Sequence, residues 1–335
     1  MLNDDFNAFI IKETNGKFTR TIEKKPLDKL PANEVLIKVR YSSLNYKDAL
    51  SSTGHKGVTK KYPHTPGIDA AGIVISSRSK FFSGGEKVIV TGYDLGMNTP
   101  GGFAEYISVP ADWPVKLPEN LSLKESMILG TAGFTAALAL DKLQQFGIKS
   151  PEDEILVTGA TGSLGSSAVS ILSKAGYKNI VAATGKMDQS DFLKKIGAWR
   201  VVNRNNNEID DKSNKPMLSS RWSGVVDSVG GNILSTAIKS AKYGGVVTAC
   251  GLTQSFNFNT TVYPFILRSV SLIGIESAAC PMETRLRIWE KLSGEWKINT
   301  LNYLYEEISL EELEKKITLM LKGKNIGRVI INLEK

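Results

Sequence analysis

The stretch ILVTGATGSLGSSAVSIL, residues 155–172, constrains this chain more than any other segment. An apolar β-rich run, Ile155 to Thr158, passes into glycines at positions 159, 162 and 165, and these pass into a helical pattern from Ser166 to Ala175. Small residues at such a junction let the backbone approach a pyrophosphate, whose charge is favoured by the amides and positive end of the following helix. Gly165 allows that helix to pack closely on the strand. The spacing is G-x-x-G-x-x-G rather than G-x-G-x-x-G, and a glycine-rich turn can also close a strand–helix junction with no ligand at all. The pattern of the next hundred residues decides between the two. Apolar runs at Ile180 to Ala183, Val201 to Val202, Val225 to Val226 and Val246 to Ala249 recur at βα spacing, with helical candidates such as Ile233 to Lys242 between them. That alternation predicts a parallel doubly wound sheet, and dinucleotide binding at its first turn.

The second strand selects the dinucleotide. An NAD site usually places Asp or Glu about 20 residues beyond the glycine turn to hold the ribose hydroxyls. Here Thr184, Gly185 and Lys186 occupy that position, with no acid to repel a 2′-phosphate and one cation to attract it. Arg204, just past the third strand, can reach the same phosphate with a planar fork. NADPH is the expected cofactor. Either cation alone reads equally well as a solvated surface charge; the pair at two strand ends is the informative feature.

The rest of the chain has a different texture. With 335 residues, at roughly 150 per domain, about two domains are expected. Before about Lys124, short β-rich runs at Ala8 to Ile11, Val35 to Tyr41, Ala71 to Ile75 and Lys87 to Thr91 are separated by turn signals such as Asn15-Gly16, as in a compact all-β module. Val35, Ile37, Val39 and Tyr41 alternate with Leu36, Lys38 and Arg40, which suits a strand with one face more buried. Met127 to Leu140 is too short for a membrane span and reads as a buried helix. After SVSLIGIE come helices at Met282 to Lys291 and Leu313 to Leu321, the second behind a Ser309/Glu312 capping box. The final strand, Arg328 to Leu333, pairs most simply with the N-terminal module.

Composition narrows the chemistry. The N-terminus carries acids where an export signal carries Lys or Arg, so the cytoplasm is the expected compartment. Two cysteines, Cys250 and Cys280, and two histidines, His55 and His64, supply too few ligands for a closed zinc site and little for Ser-His-Asp hydrolysis. Lys plus Arg is 42 against 34 acids, and this net +8 suits nucleic acid, an anionic cofactor or simple solubility.

Several stretches together resemble the zinc-independent, quinone-oxidoreductase-like branch of the medium-chain dehydrogenases/reductases, and within it the acrylyl-CoA reductase subgroup. They are SSLNYKDAL (42–50), PGIDAAG (66–72), GGFAEY (101–106), LGTAGFTAAL (129–138), VTGATGSLGS, YGGVVTACGL (243–252) and TTVYPFILR (260–268). Nearly the whole chain is covered. The resemblance implies a Rossmann doubly wound sheet at 126–269 and a GroES-like β-rich catalytic domain at 1–125 completed by 270–335. Gly67-Ile68-Asp69 stands where zinc enzymes of the superfamily have Gly-His-Glu, so metal-free catalysis is implied. Thr184-Gly185-Lys186 replaces the subgroup's Ser-Gly-Arg, keeping the charge without the fork. For the cofactor, the resemblance places Tyr46 beside the nicotinamide, Thr161, Gly162, Ser163 and Leu164 on the pyrophosphate, and Thr131, Leu252, Ile266 and Ser277 along the remaining cofactor surface, in a cleft between domains.

The implied reaction is reduction of an activated alkene, with hydride arriving at the β carbon and a proton at the α carbon while negative charge grows on the carbonyl oxygen. Tyr46 is the candidate donor, Asn45 an orienting amide and Asp48 a brace for their loop, although turn or helix capping accounts for Asn45 and Asp48 nearly as well. The implied substrate is a small molecule, an enoyl thioester such as acrylyl-CoA or, alternatively, a quinone or enone. Lys47, Lys56, Lys60, Lys61 and Arg268 are candidates for the rim that meets an anionic thioester tail, with a solvated loop the plainer account of the lysines. A third reading, an NADPH-dependent nucleic-acid binder without turnover, fits the positive charge, but no RNA-module motif is present and aromatics are not interleaved with the basic runs. The resemblance also implies a homodimer.

Overall fold

The computed structural model describes residues 5–335. Its first part runs β1 (Asp5–Thr14), β2 (Lys17–Pro26), β3 (Val35–Ser43), α1 (Tyr46–Ser51), β4 (Asp69–Ser77), β5 (Lys87–Thr91), β6 (Tyr106–Val109), β7 (Val115–Lys116) and α2 (Leu123–Gln145). Strands and helices then alternate: β8 (Glu154–Thr158), α3 (Ser163–Lys174), β9 (Asn179–Thr184), α4 (Ser190–Lys195), β10 (Arg200–Asn203), β11 (Trp222–Asp227), α5 (Gly231–Lys239), β12 (Ala241–Ala249), α6 (Tyr263–Arg268) and β13 (Ser271–Gly274). The chain closes with α7 (Met282–Ser293), β14 (Tyr305–Ile308), α8 (Leu313–Leu321) and β15 (Arg328–Asn332). Two compact units result. One holds the described residues up to Thr131 with Ala278–Ser293 and Tyr305–Lys335; the other holds Ala132–Ser277 with Gly294–Leu304.

The first unit is β-rich. Asn15 and Gly16 both take positive φ, 52° and 76°, which makes the turn that folds β2 back along β1 even though KFTRTIEKKP has no apolar alternation of its own. A seven-stranded sheet, ordered β14-β15-β3-β4-β5-β7 with β6 also on β3, buries Val35, Ile37, Val39, Val74, Val88 and Val90 in one cluster. The alternation expected in β3 stops at Val39. The register shifts between Val39 and Tyr41, leaving Tyr41 half-buried and both Ser42 and Ser43 buried. The terminal strand does pair with this module, antiparallel to β3 and with Ile330 opposite Ser43.

The second unit is a six-stranded, all-parallel sheet in the order β10-β9-β8-β11-β12-β13, so the direction of winding reverses between β8 and β11. Strands covered on both faces read as continuous apolar runs, and all six residues of β11 are buried. The helix expected from Ile233 to Lys242 stops at Lys239, because Ala241 and Lys242 already belong to β12. Ser271–Gly274 lies past the sequence boundary drawn at residue 269 yet is hydrogen-bonded along β12 as the sixth strand. The segment Gly294–Leu304 returns to this unit, with Lys195 Nζ 3.7 Å from the ring centroid of Tyr303.

The buried helix expected at Met127 to Leu140 is broken. Gly130 has φ 50° and ψ −157°, outside helical space, and the chain passes from one unit to the other just beyond it. A Cβ at Gly130 would stand 2.3 Å from Arg328 Nη2, 2.6 Å from Asp69 Oδ2 and 2.7 Å from Ser43 Oγ. Gly130→Ala is therefore expected to cost about 2–4 kcal/mol, from a disfavoured backbone and overpacking of buried polar groups. Thermal denaturation reads this directly; a parental Tm would show that the left-handed break is dispensable.

Candidate active site

The glycine turn sits at the reversal of the parallel sheet, the position where open α/β sheets bind ligands. Gly159 takes φ +63°, Gly162 N–H donates to Gly159 O at 2.9 Å, and Gly162 caps α3 with extended backbone. Gly165 is needed for proximity: a Cβ there would lie 2.3 Å from Gly159 O. Ser163 and Leu164 open a 12-residue helix whose first-turn amides have no helical carbonyl before them. Backbone N–H groups, a positive helix end and no intruding side chain together fit a pyrophosphate.

Thr161, Thr184, Gly185, Lys186 and Arg204, scattered in sequence, converge beyond the C-terminal ends of β8, β9 and β10. Thr161 and Thr184 are buried with their hydroxyls 3.0 Å apart, and Thr184 Oγ1 accepts Lys186 N–H at 3.0 Å. Arg204 N–H donates to Thr184 O at 2.8 Å, and its side chain lies over Gly185, where a Cβ would meet Nε at 3.0 Å. The Arg204 guanidinium is exposed and makes no hydrogen bond among the described residues. Burial and the Arg204 charge both hold the Lys186 ammonium below the usual lysine range, while Asp188 opposes them. Two cations kept close against their mutual repulsion suit a dianionic group.

Across the reversal, Asp227 ends β11 without exposure, accepting from Thr158 Oγ1 at 2.6 Å and Gly230 N–H at 2.8 Å. Burial pushes its carboxyl up to about 6 against those hydrogen bonds. Ser228 Oγ donates to Thr158 O at 2.8 Å, tying the two strand ends together. Leu252 follows β12 and is 58% exposed, so it is not core. Ser277, after β13, accepts from Thr135 Oγ1 at 2.9 Å. Ile266, 67% exposed, lies on the helix leading into β13 rather than beyond a strand's C-terminal end. Arg268 leaves the basic rim: its guanidinium donates to the carbonyls of Leu218, Lys239 and Ala241.

In the first unit, Tyr46 is the first residue of α1 and 42% exposed, and its hydroxyl makes no hydrogen bond among the described residues. Asn45 is different. Its amide donates to Asp69 Oδ2 at 2.8 Å and Ser43 O at 3.2 Å, and its carbonyl accepts from Arg328 Nη1 at 3.0 Å. The side chain has no hydrogen left to orient a substrate, which corrects the role expected for it. Asp48 is likewise wholly buried, accepting N–H groups from Asn45 at 2.8 Å, Ile68 at 2.9 Å and Gly67 at 3.1 Å. Burial, with the nearby Asp69 charge adding to it, pushes its carboxyl up to about 7. It braces the turn through these three backbone groups. Thr131, expected on the cofactor, belongs to this unit and commits its N–H and hydroxyl to Asp69, the hydroxyl at 2.5 Å. Lys56, Lys60 and Lys61 are exposed on the loop after α1 and Lys47 is half-buried.

Asp69 and Arg328 carry this arrangement, yet sequence reasoning noted the first only as a departure from a zinc motif and the second only as the start of a strand. A charge opening the apolar run RVIIN was the available signal. Zinc does not fit here. Among the described residues no three His, Cys, Asp or Glu side chains are grouped to hold a metal, Asp69 is saturated by internal donors, and His64 Nε2 lies 2.8 Å from Gly96 O.

Comparison with known proteins identifies the family. Residues 31–119 match the alcohol dehydrogenase GroES-like domain family, and residues 163–291 the zinc-binding dehydrogenase family. YhfP of Bacillus subtilis, provisionally named a quinone oxidoreductase, is 46% identical over 91% of this chain and 92% of its own; its NAD-bound crystal structure has a TM-score of 0.95 at 44% identity, covering 98% and 99% of the two chains. The acrylyl-CoA reductase AcuI of Ruegeria pomeroyi is 39% identical over 98% of this chain and 99% of its own. The yhdH oxidoreductase of Salmonella enterica, solved with NADP, has a TM-score of 0.94 at 37% identity, with 98% and 99% covered. The chain belongs to the quinone-oxidoreductase-like branch of the medium-chain dehydrogenase/reductase family, with a Rossmann unit and a GroES-like unit.

Proposed function

We propose that this protein is an NADPH-dependent oxidoreductase that reduces an activated carbon–carbon double bond, with a 2-enoyl-CoA such as acrylyl-CoA as substrate and propionyl-CoA as product. The convergence of Lys186 and Arg204 beside the glycine turn carries the cofactor reading. Thr161 to Leu164 would hold the pyrophosphate, Lys186 and Arg204 the 2′-phosphate, and Leu252 and Ser277 the nicotinamide end. When bound, NADPH supplies the hydride. Tyr46 donates its phenolic proton, or a hydrogen bond, to the substrate's carbonyl side as charge develops there, and Asp48 keeps the start of α1 in place. The lysines at 56, 60 and 61 suit a phosphorylated thioester tail. Likeness over nearly the full length to an acrylyl-CoA reductase supports the thioester; a quinone or other enone is the second reading, supported by the likeness to YhfP.

A homodimer belongs to the same proposal. In the second unit, Phe256, Phe258, Val262, Tyr263 and Leu267 are exposed along the segment between β12 and the edge strand β13, and a second copy would cover exposed apolar side chains and an unpaired strand edge. With only two cysteines the chain has no disulfide framework to maintain, which suits a reducing compartment, and the reading places the enzyme in the cytoplasm.

NADPH oxidation is expected to be faster with acrylyl-CoA than with a simple quinone, and Tyr46→Phe to lower kcat about 100-fold. The reverse preference favours the quinone reading, and a parental Tyr46→Phe rate removes Tyr46 from the chemistry. The Lys186→Ala, Arg204→Ala double variant should lose about 100-fold in NADPH affinity with NADH affinity little changed, measured by cofactor fluorescence; undiminished NADPH binding sinks the 2′-phosphate assignment. Sedimentation should show a dimer that Phe256→Asp with Val262→Asp converts to monomer, whereas a parental protein already monomeric at micromolar concentration ends that part of the proposal.

A further inference from the structure

Resting on the role given to Tyr46, we propose that Arg328 and Asp69 are positioning residues for the reaction: acting through Asn45, they fix the start of α1 and hence where Tyr46 presents its hydroxyl. Neither side chain has any exposure, so neither can touch a substrate. Asp69 accepts from Ser43 Oγ at 2.6 Å, from Asn45 Nδ2 at 2.8 Å, from Thr131 N–H at 3.0 Å and from Arg328 Nη2 at 3.4 Å. Arg328 spreads its fork over Asn45 Oδ1 at 3.0 Å, Ser43 Oγ at 2.5 Å and, through Nε, Ile128 O at 3.1 Å. Leu44 N–H also donates to Val329 O at 2.9 Å, so the residue before Asn45 is tied to the strand that carries Arg328.

Directionality is the point. Burying an ion pair yields little net stability against an apolar cluster of the same size. An apolar cluster, however, has no means of choosing one orientation for the Asn45 amide. Here a carboxylate holds the nitrogen end and a guanidinium the oxygen end, so flipping the amide would set like polarity against each charge. The next residue in the chain is Tyr46, and a misplacement of about 1 Å at a reacting group can cost 100-fold in rate. Lysine does not replace Arg328, because its three N–H groups radiate from a single nitrogen, whereas Arg328 reaches Ile128 O, Asn45 Oδ1 and Ser43 Oγ from three separate nitrogens in one plane.

The test uses Asn45→Ala, Arg328→Met and Arg328→Lys in the full chain, with kcat and KM for acrylyl-CoA, NADPH affinity, Tm, and amide hydrogen exchange over residues 44–51. Asn45→Ala is expected to keep NADPH affinity and to lower Tm by several degrees, since two buried charges each lose a hydrogen-bond partner, while kcat falls about 100-fold and exchange at 44–51 quickens. Arg328→Lys is expected to recover Tm relative to Arg328→Met without recovering kcat. A parental kcat in Asn45→Ala overturns the proposal, and so does kcat that follows Tm in all three variants, the mark of a merely structural role. If the parental protein reduces no acceptor, the functional reading fails by itself; unchanged exchange at 44–51 in Asn45→Ala and Arg328→Met would then still overturn the positioning claim.

Discussion

A carboxylate and a guanidinium sealed from water must find every partner inside the protein, and the shape of the β-rich unit follows from meeting that demand around Asp69 and Arg328. Desolvating two ions costs several kcal/mol each unless hydrogen bonds replace the lost water. Besides the contact of the pair with each other, the replacements come from two stretches far apart in the chain, 43–45 and 127–131. The register shift in β3 buries Ser42 and Ser43 together, so that one hydroxyl reaches the Asp69 carbonyl and the other its carboxylate. The break at Gly130 frees Thr131 N–H for the carboxylate and leaves Ile128 O for the guanidinium. Burial pushes the Arg328 guanidinium down from its ordinary value, and the charge of Asp69 pulls it back.

The Rossmann unit solves a different problem by different means. Its site is made chiefly of backbone: glycines that admit close approach, amides at the start of α3, and strand ends brought into line by parallel pairing. Side chains enter only where charge is needed, at Lys186 and Arg204. A site of that kind tolerates changes in sequence provided size and sign are kept, so a lysine at position 186 meets the proposed need for a cation there. In the GroES-like unit the reverse holds, since each side chain around Tyr46 has a defined donor or acceptor to serve.

How much of this was legible depended on whether the signal was local. The glycine turn, the absence of an acid after β9 and the pair of cations at two strand ends all lie within about 50 residues, and the elements between them have ordinary apolar periods. The alternation in Val35 to Val39 was also readable. It failed at Tyr41 because a bulge has no compositional mark. Asn45 and Asp48 show their capping chemistry in sequence, but not that their side chains are hydrogen-bonded within the fold. Ile266, which the resemblance sets along the cofactor surface, lies on the helix between β12 and β13.

The sequence by itself determined a parallel βα unit with a glycine turn between strand and helix, a β-rich companion, the poverty of metal ligands and the family to which both units belong, because periodicity and turn chemistry act between near neighbours. Only the tertiary structure decided which polar residues are free to act. Asp69 and Arg328 are 259 positions apart, and their hydrogen bonds consume Asn45 and Thr131 while leaving Tyr46 unengaged. Whether a side chain is a reagent or a brace depends on what else comes within about 3 Å of it, and that is set by the folding together of distant segments rather than by its place in the chain.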